Sequence, residues 1–112
     1  MSTETLEAID RSIRQSQTIV ELGSAVDRLR SNKDFKKIVI EGYFEKEAIR
    51  LVHLKADPAM QSAASQQSIT QQMDAIGAFS QYLDMALRHA DQARKQVASD
   101  EATRDEILSG DE

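Results

Sequence analysis

The chain has no cysteine, no tryptophan, a single proline and four glycines, and only 4% of its 112 residues are aromatic. Without cysteine there can be no disulfide, no thiolate nucleophile and no Cys-ligated zinc or iron–sulfur centre. The glycines, at positions 23, 42, 77 and 110, stand too far apart to form a phosphate-cradling loop. No apolar run approaches the roughly 20 residues of a membrane-spanning helix. Met1–Asp10 lacks a basic start followed by an apolar stretch, so no secretory signal is expected either. Cytosol is the compartment these absences favour. A chain of this length can bury roughly two-thirds of its unfolded surface, enough for one small domain with a thin core.

What is present is charge, unevenly placed. The net charge is -5, made of +1 in residues 1–56 and -6 in residues 57–112. From Pro58 to Met73 no residue is charged, and Gln61–Gln72 is rich in Ser, Ala and Gln. Such a composition can serve as a linker. However, Ala and Gln are good helix formers, and neither Gly nor Pro occurs between Pro58 and Gly77. The expectation is a turn over Pro58–Ala64 followed by helix.

Periodicity sets the class. Ile69, Met73, Ile76, Leu83, Leu87, Ala90 and Val97 recur in steps of four and three once Ser80 and Arg94 are counted as polar members. Phe79, Ala86 and Ala93 lie on one flank, Ala75 and Tyr82 on the other. This predicts a helix of about 35 residues, roughly 50 Å long, with a heptad-like apolar seam. At the other end, Ser2 or Thr3 can cap a first long helix with Glu4 and Glu7 in its opening turns. Leu6, Ile9, Ile13, Val20, Val26 and Leu29 would face inward, while Ile13, Ile19, Leu22, Val26 and Leu29 fit a second register. Gly23 sits at the join, where a bend or a change of partner is expected.

Between the long helices, Ser31 or Asn32 can cap a short helix through Ile40 with Phe35, Ile38 and Val39 inward, ended by Gly42 in the left-handed conformation. A second short helix from Phe44 to Lys55 would bury Ala48, Leu51, Val52 and Leu54 and stop before Asp57-Pro58. The β-branched run Ile38-Val39-Ile40 permits a strand, but no other segment supplies a partner for it. The fold expected is therefore all-α: an antiparallel helical hairpin or small bundle of two long helices with a pair of short helices between. Phe35, Ile38, Tyr43, Phe44, Leu51 and Leu54 would plug one end. Residues 1–98 would form this single domain. Residues 99–112, with six acidic groups, one Arg and the apolar pair Ile107-Leu108, would be a frayed acidic tail. The alternative for that tail is a short helix docking Ile107 and Leu108 into a partner.

The segments Asn32-Lys33-Asp34-Phe35-Lys36-Lys37, Gly42-Tyr43-Phe44, Glu47-Ala48, Arg50-Leu51, Lys55-Ala56-Asp57-Pro58-Ala59-Met60-Gln61 and Asp74-Ala75-Ile76-Gly77 carry a resemblance. Over about residues 24–87 the chain resembles small helical proteins encoded by tailed bacteriophages, often near virion structural genes. The resemblance implies an accessory or virion-assembly role and synthesis in the host cytoplasm, with the virion as a second location. It carries no catalytic motif and assigns no functional residue.

The residues themselves offer little chemistry. His53 and His89 are the only imidazoles. His53, between Val52 and Leu54, reads as a partly buried structural histidine, and Asp91 two residues after His89 would not face it on a helix. The acidic groups Glu41, Glu45 and Glu47, or Asp100, Glu101, Asp105 and Glu106, read as solvated faces, and the paired carboxylate–histidine spacing of a di-iron bundle is missing. No enzyme activity, metal or cofactor is expected.

Nucleic-acid binding competes through Arg28, Arg30, Lys33, Lys36 and Lys37, offset by Asp27 and Asp34. In a helix-turn-helix the helix from Phe44 would enter the groove, yet Glu45 and Glu47 at its leading end would repel phosphates. The favoured reading is a non-enzymatic protein-binding factor for phage virion assembly, the alternative a host-takeover inhibitor or a nucleic-acid-associated protein. The seam from Leu83 to Val97 outruns the short helices, which predicts self-association, a dimer foremost. The expected partner-facing set is Phe79, Tyr82 and Met85, with Arg50 and Arg88 at the rim. Tyr and Met suit interface cores, although at helical spacing they also serve as ordinary core.

Overall fold

The computed structural model describes residues 3–110 and is all-helical, with no strand among them. Helix α1 spans Thr3–Arg30, α2 Lys33–Phe35, a π-helical segment Lys36–Glu47, α3 Ala48–Ala56, a 3₁₀ turn Pro58–Met60, and α4 Ala63–Gly110. Two long helices with short helical pieces between them form a helical hairpin, as the periodicity predicts. The chain divides into two compact units: Met1–Asp27 with Met85–Glu112, and Arg28–Asp84.

In the first unit α1 and α4 pack antiparallel. Ser12 donates to Asp100 at 2.6 Å and Arg104 to Asp10 at 3.2 Å, so early residues of α1 meet late residues of α4. The buried positions are Ile13, Ser16, Gly23 and Val26 on α1, facing Ala86, Ala90, Ala93 and Ile107 on α4. Two expectations change here. The second register of α1 is not used inward: Ile19, Leu22 and Leu29 are each more than 40% exposed, and the small residues Ser16 and Gly23 hold the seam instead. At Gly23, where a bend or a change of partner is expected, α1 runs on as one helix, and the chain passes from the first unit to the second only after Asp27. The glycine permits close approach: a Cβ built at Gly23 would lie 2.2 Å from the Cβ of Ala90 and 3.3 Å from the carbonyl oxygen of Ala86.

On α4 the buried line passes through Ala86, Ala90 and Ala93, so the alanine flank becomes the centre of the seam and Arg94 stays outside, paired with Asp91 at 2.8 Å. Alanines are what two backbones this close can accommodate. The acidic end is also corrected. Residues 99–110 continue α4 without a break rather than fraying, and Ile107 is buried. Nothing in Ser99–Leu108 interrupts a helix, and the Asp10–Arg104 and Ser12–Asp100 contacts tie it to α1. Leu108, the other half of the apolar pair, stays exposed. The candidate cap Ser2 and the last two acidic residues lie outside the described residues.

The second unit is built around Leu51, fully buried, with Ile69 and Ile76 of α4. Tyr43, Phe44, Ala48, Leu54, Met60 and Met73 pack on them. Ser31 and Asn32 make the connection from α1. The side chain of Asn32 accepts from Phe35 N at 2.9 Å, the cap expected at this site. From Lys33 to Ala56 the backbone then stays helical. Gly42 is not left-handed, no glycine among the described residues has positive φ, and the two expected short helices are one continuous run. The reason is the π geometry of Lys36–Glu47. The half-buried pairs Val39-Ile40, Tyr43-Phe44 and Glu47-Ala48 follow one another in steps of four, longer than the 3.6 of an α-helix. That wider turn leaves Ile38 67% exposed, against the expectation that it plugs the end; Val52 is exposed as well.

The run stops where Asp57 turns extended before Pro58, as expected. Asp57 then accepts from Ala59 N at 2.9 Å. The carboxamides of Gln61 and Gln66 both donate to the carbonyl of Lys55 at 3.0 Å, satisfying a carbonyl that α3 leaves unpaired at its C-terminal end. Ser62 caps α4 by accepting from Ser65 N at 3.1 Å. No helix is long and apolar enough to cross a membrane among the described residues.

Candidate functional site

Each unit contributes separately to the surface. In the second, Phe79 and Tyr82 stand three residues apart on α4. Phe79 is only partly free: its ring lies 5.5 Å from that of Phe44 and 6.4 Å from that of Tyr43, both edge-on, so it closes an aromatic trio over the Leu51 core. Tyr82 is 51% exposed and is the open member of the pair. Arg50, also in this unit, forks onto Glu47: its Nε and Nη2 donate to the two carboxylate oxygens, the second at 3.1 Å. The charge-assisted pair holds the Glu47 carboxyl below its ordinary value and raises the Arg50 guanidinium. Arg50 is thus spoken for at the surface rather than a free rim cation. In the first unit, Met85 and Arg88 are exposed on the continuation of α4.

A shallow cleft of about 530 Å³ runs along the π-helical segment, where Gly42 offers no side chain between Ile38 and Lys46. Ile38, Val39 and Tyr43 give it an apolar wall, and Lys46, Glu47 and Arg50 a charged one. Because Tyr43 also touches Phe79, the cleft and the aromatic trio are one connected surface. Sequence reasoning missed Ile38 as part of it by assuming α spacing. The signal available was the four-residue repeat of the pairs that follow.

The basic cluster is partly neutralised. Arg30 donates to Asp84 at 3.1 Å, and Arg30, Lys36 and Lys46 share a second cleft with Glu41 and Glu45. His53 is exposed rather than partly buried, and His89 is exposed beside Gln92 and Gln96. Among the described residues no three His, Asp or Glu side chains gather in a way that would hold a metal ion. What the arrangement offers is contact area: apolar side chains held in the open on a stiff helical frame, with charged groups beside them. Comparison with protein-family models, with curated proteins and with solved structures finds no match.

Proposed function

We propose that this chain is a non-enzymatic protein-binding factor that docks another protein on the surface carrying Ile38, Tyr43, Phe79 and Tyr82, and that it serves virion assembly in a tailed bacteriophage. The observation that carries the binding role is the exposure of large side chains beside the aromatic trio: Ile38 in the cleft that Tyr43 lines, and Tyr82 three residues after Phe79 on α4. Ile38 is 67% and Tyr82 51% exposed, and their unit already has a closed core around Leu51 to which neither belongs. Apolar groups left outside a finished core are the usual mark of a docking surface. The assembly role rests on the resemblance of residues 24–87 to phage proteins encoded beside virion structural genes.

Mass spectrometry of purified capsid assembly intermediates tests the role. The chain is expected in intermediates from the parent phage and depleted from those of a phage carrying Tyr82→Ala. Its absence from all intermediates contradicts the assembly reading.

A further inference from the structure

We propose that the cleft over Gly42 is the pocket for the partner's anchoring group, an apolar side chain with a carboxylate beside it, the carboxylate meeting Lys46. The inference deepens the docking role proposed above and rests on it. The cleft, about 530 Å³, opens on the helical run Lys36–Glu47, with a glycine between its two walls.

The first observation is that glycine. In a helix interior glycine is disfavoured relative to alanine, so some other gain must offset it. A left-handed backbone is not the gain, since no glycine among the described residues has positive φ. Close packing against another element, the reason at Gly23, does not apply either. A Cβ at Gly42 would meet no atom outside its own helical run. The nearest is the carbonyl oxygen of Lys37 at 3.0 Å, which a shift of a few tenths of an ångström within the run relieves. What the missing side chain leaves open is the space between Ile38 and Lys46, four residues to either side.

Charge is the second observation, and it chooses the occupant. Ile38, Val39 and Tyr43 make the apolar wall, with Ile38 67% exposed. On the charged wall Glu47 and Arg50 satisfy each other through two hydrogen bonds. Lys46 has no ion pair among the described residues. Glu41 and Glu45 share its other cleft with Lys36 and Arg30, and neither comes within ion-pair distance of it. The cleft over Gly42 therefore offers apolar contact beside one uncompensated ammonium. A group that is apolar with one negative end matches both, whereas a cationic group would meet Lys46 as a like charge.

The probe is 4-methylpentanoate, a branched aliphatic tail carrying one carboxylate, with 4-methylpentylamine as its cationic counterpart. Titrated into the full chain and followed by the Gly42 amide and Ile38 methyl resonances, the carboxylate should bind with a dissociation constant on the order of 10 mM, as so small a ligand allows. The amine should bind about two- to fivefold more weakly, the difference an exposed ion pair makes. Lys46→Gln should remove that preference. Gly42→Ala and Gly42→Leu place the same Cβ against the Lys37 carbonyl, so a further loss of binding in Gly42→Leu reads the filling of the cleft. Should Gly42→Leu fail to fold, the preference lost or kept in Lys46→Gln still decides. No saturable shift at Gly42 and Ile38 in the parent chain overturns the proposal. Equal binding of amine and carboxylate, or binding that a folded Gly42→Leu chain retains in full, overturns it as well. The two readings fail separately. A chain absent from capsid intermediates whose cleft still takes the carboxylate contradicts the assembly role alone, and a chain depleted by Tyr82→Ala whose cleft ignores the probe contradicts this pocket alone.

Discussion

Gly23 and Gly77 are both helical glycines, and the same substitution at each should act with opposite sign. A Cβ at Gly77 meets nothing within 4 Å, so Gly77→Ala gains only helix propensity, about 0.8–1 kcal/mol. At Gly23 the new methyl lands on the Cβ of Ala90, and the two backbones must part to admit it. Overpacking of a fixed seam costs about 1–3 kcal/mol, which outweighs the propensity gain. Thermal melts should therefore show Gly77→Ala above the parent and Gly23→Ala below it. The sequence marks Gly23 as unusual but not why, because close approach depends on the residues it faces. Leu51 and Ile38 make a second contrast, since both read as inward. Leu51→Ala empties a fully buried position and should cost about 2–5 kcal/mol. Ile38→Ala should stay within about 0.5 kcal/mol, as an exposed substitution does.

Among the elements, α4 shows how far periodicity reaches. Its first half, from Ile69 through Ile76 to Leu83, is buried as the spacing indicates. Its second half turns by one flank, from Leu87 and Arg94 toward Ala86 and Ala93, because the partner there presents Gly23 and Ser16 and can admit only small side chains. Apolar counting favours Leu over Ala and so loses the seam where contact is closest. The acidic end misleads in the same manner: composition suggests a solvated tail, yet one Ile in register and two polar contacts to α1 keep it helical. Truncation after residue 98 should thus lower the melting temperature by several degrees, measured by circular dichroism, whereas removal of a frayed tail would leave it unchanged. The π-helical segment hid from the sequence for a different reason, since Gly42 is the usual sign of a helix end. At its C-terminal end the Arg50 fork lowers the Glu47 carboxyl. A carboxyl lowered in the folded state stabilises above its ordinary value of 4.5 and loses that contribution as pH falls through the lower folded value. The melting-temperature gap between the parent and Glu47→Gln should be small at neutral pH, as for any exposed pair, and should close on acidification below that range.

At the scale of the molecule, the two units close differently. The second has a core around Leu51, with Ile38 and Tyr82 exposed outside it. The first brings Gly23 and Ser16 of α1 against the alanines of α4, with Ile13, Val26 and Ile107 also buried. The all-α class and the hairpin were legible because long, strongly periodic helices dominate the chain. The surface was only half legible. Tyr82 emerges as an exposed member of the row, but Phe79 belongs in part to the aromatic trio and Arg50 to Glu47, and such pairings depend on contacts between segments far apart in sequence. On the proposed docking role, the Tyr82 side chain is free of the fold and open to a partner. The thermal melt of Tyr82→Ala, followed by helical circular dichroism, decides this. A midpoint within about 2 °C of the parent, equivalent to about 0.5 kcal/mol or less, is the predicted result; a fall of 10 °C or more would make Tyr82 part of the core and contradict the account.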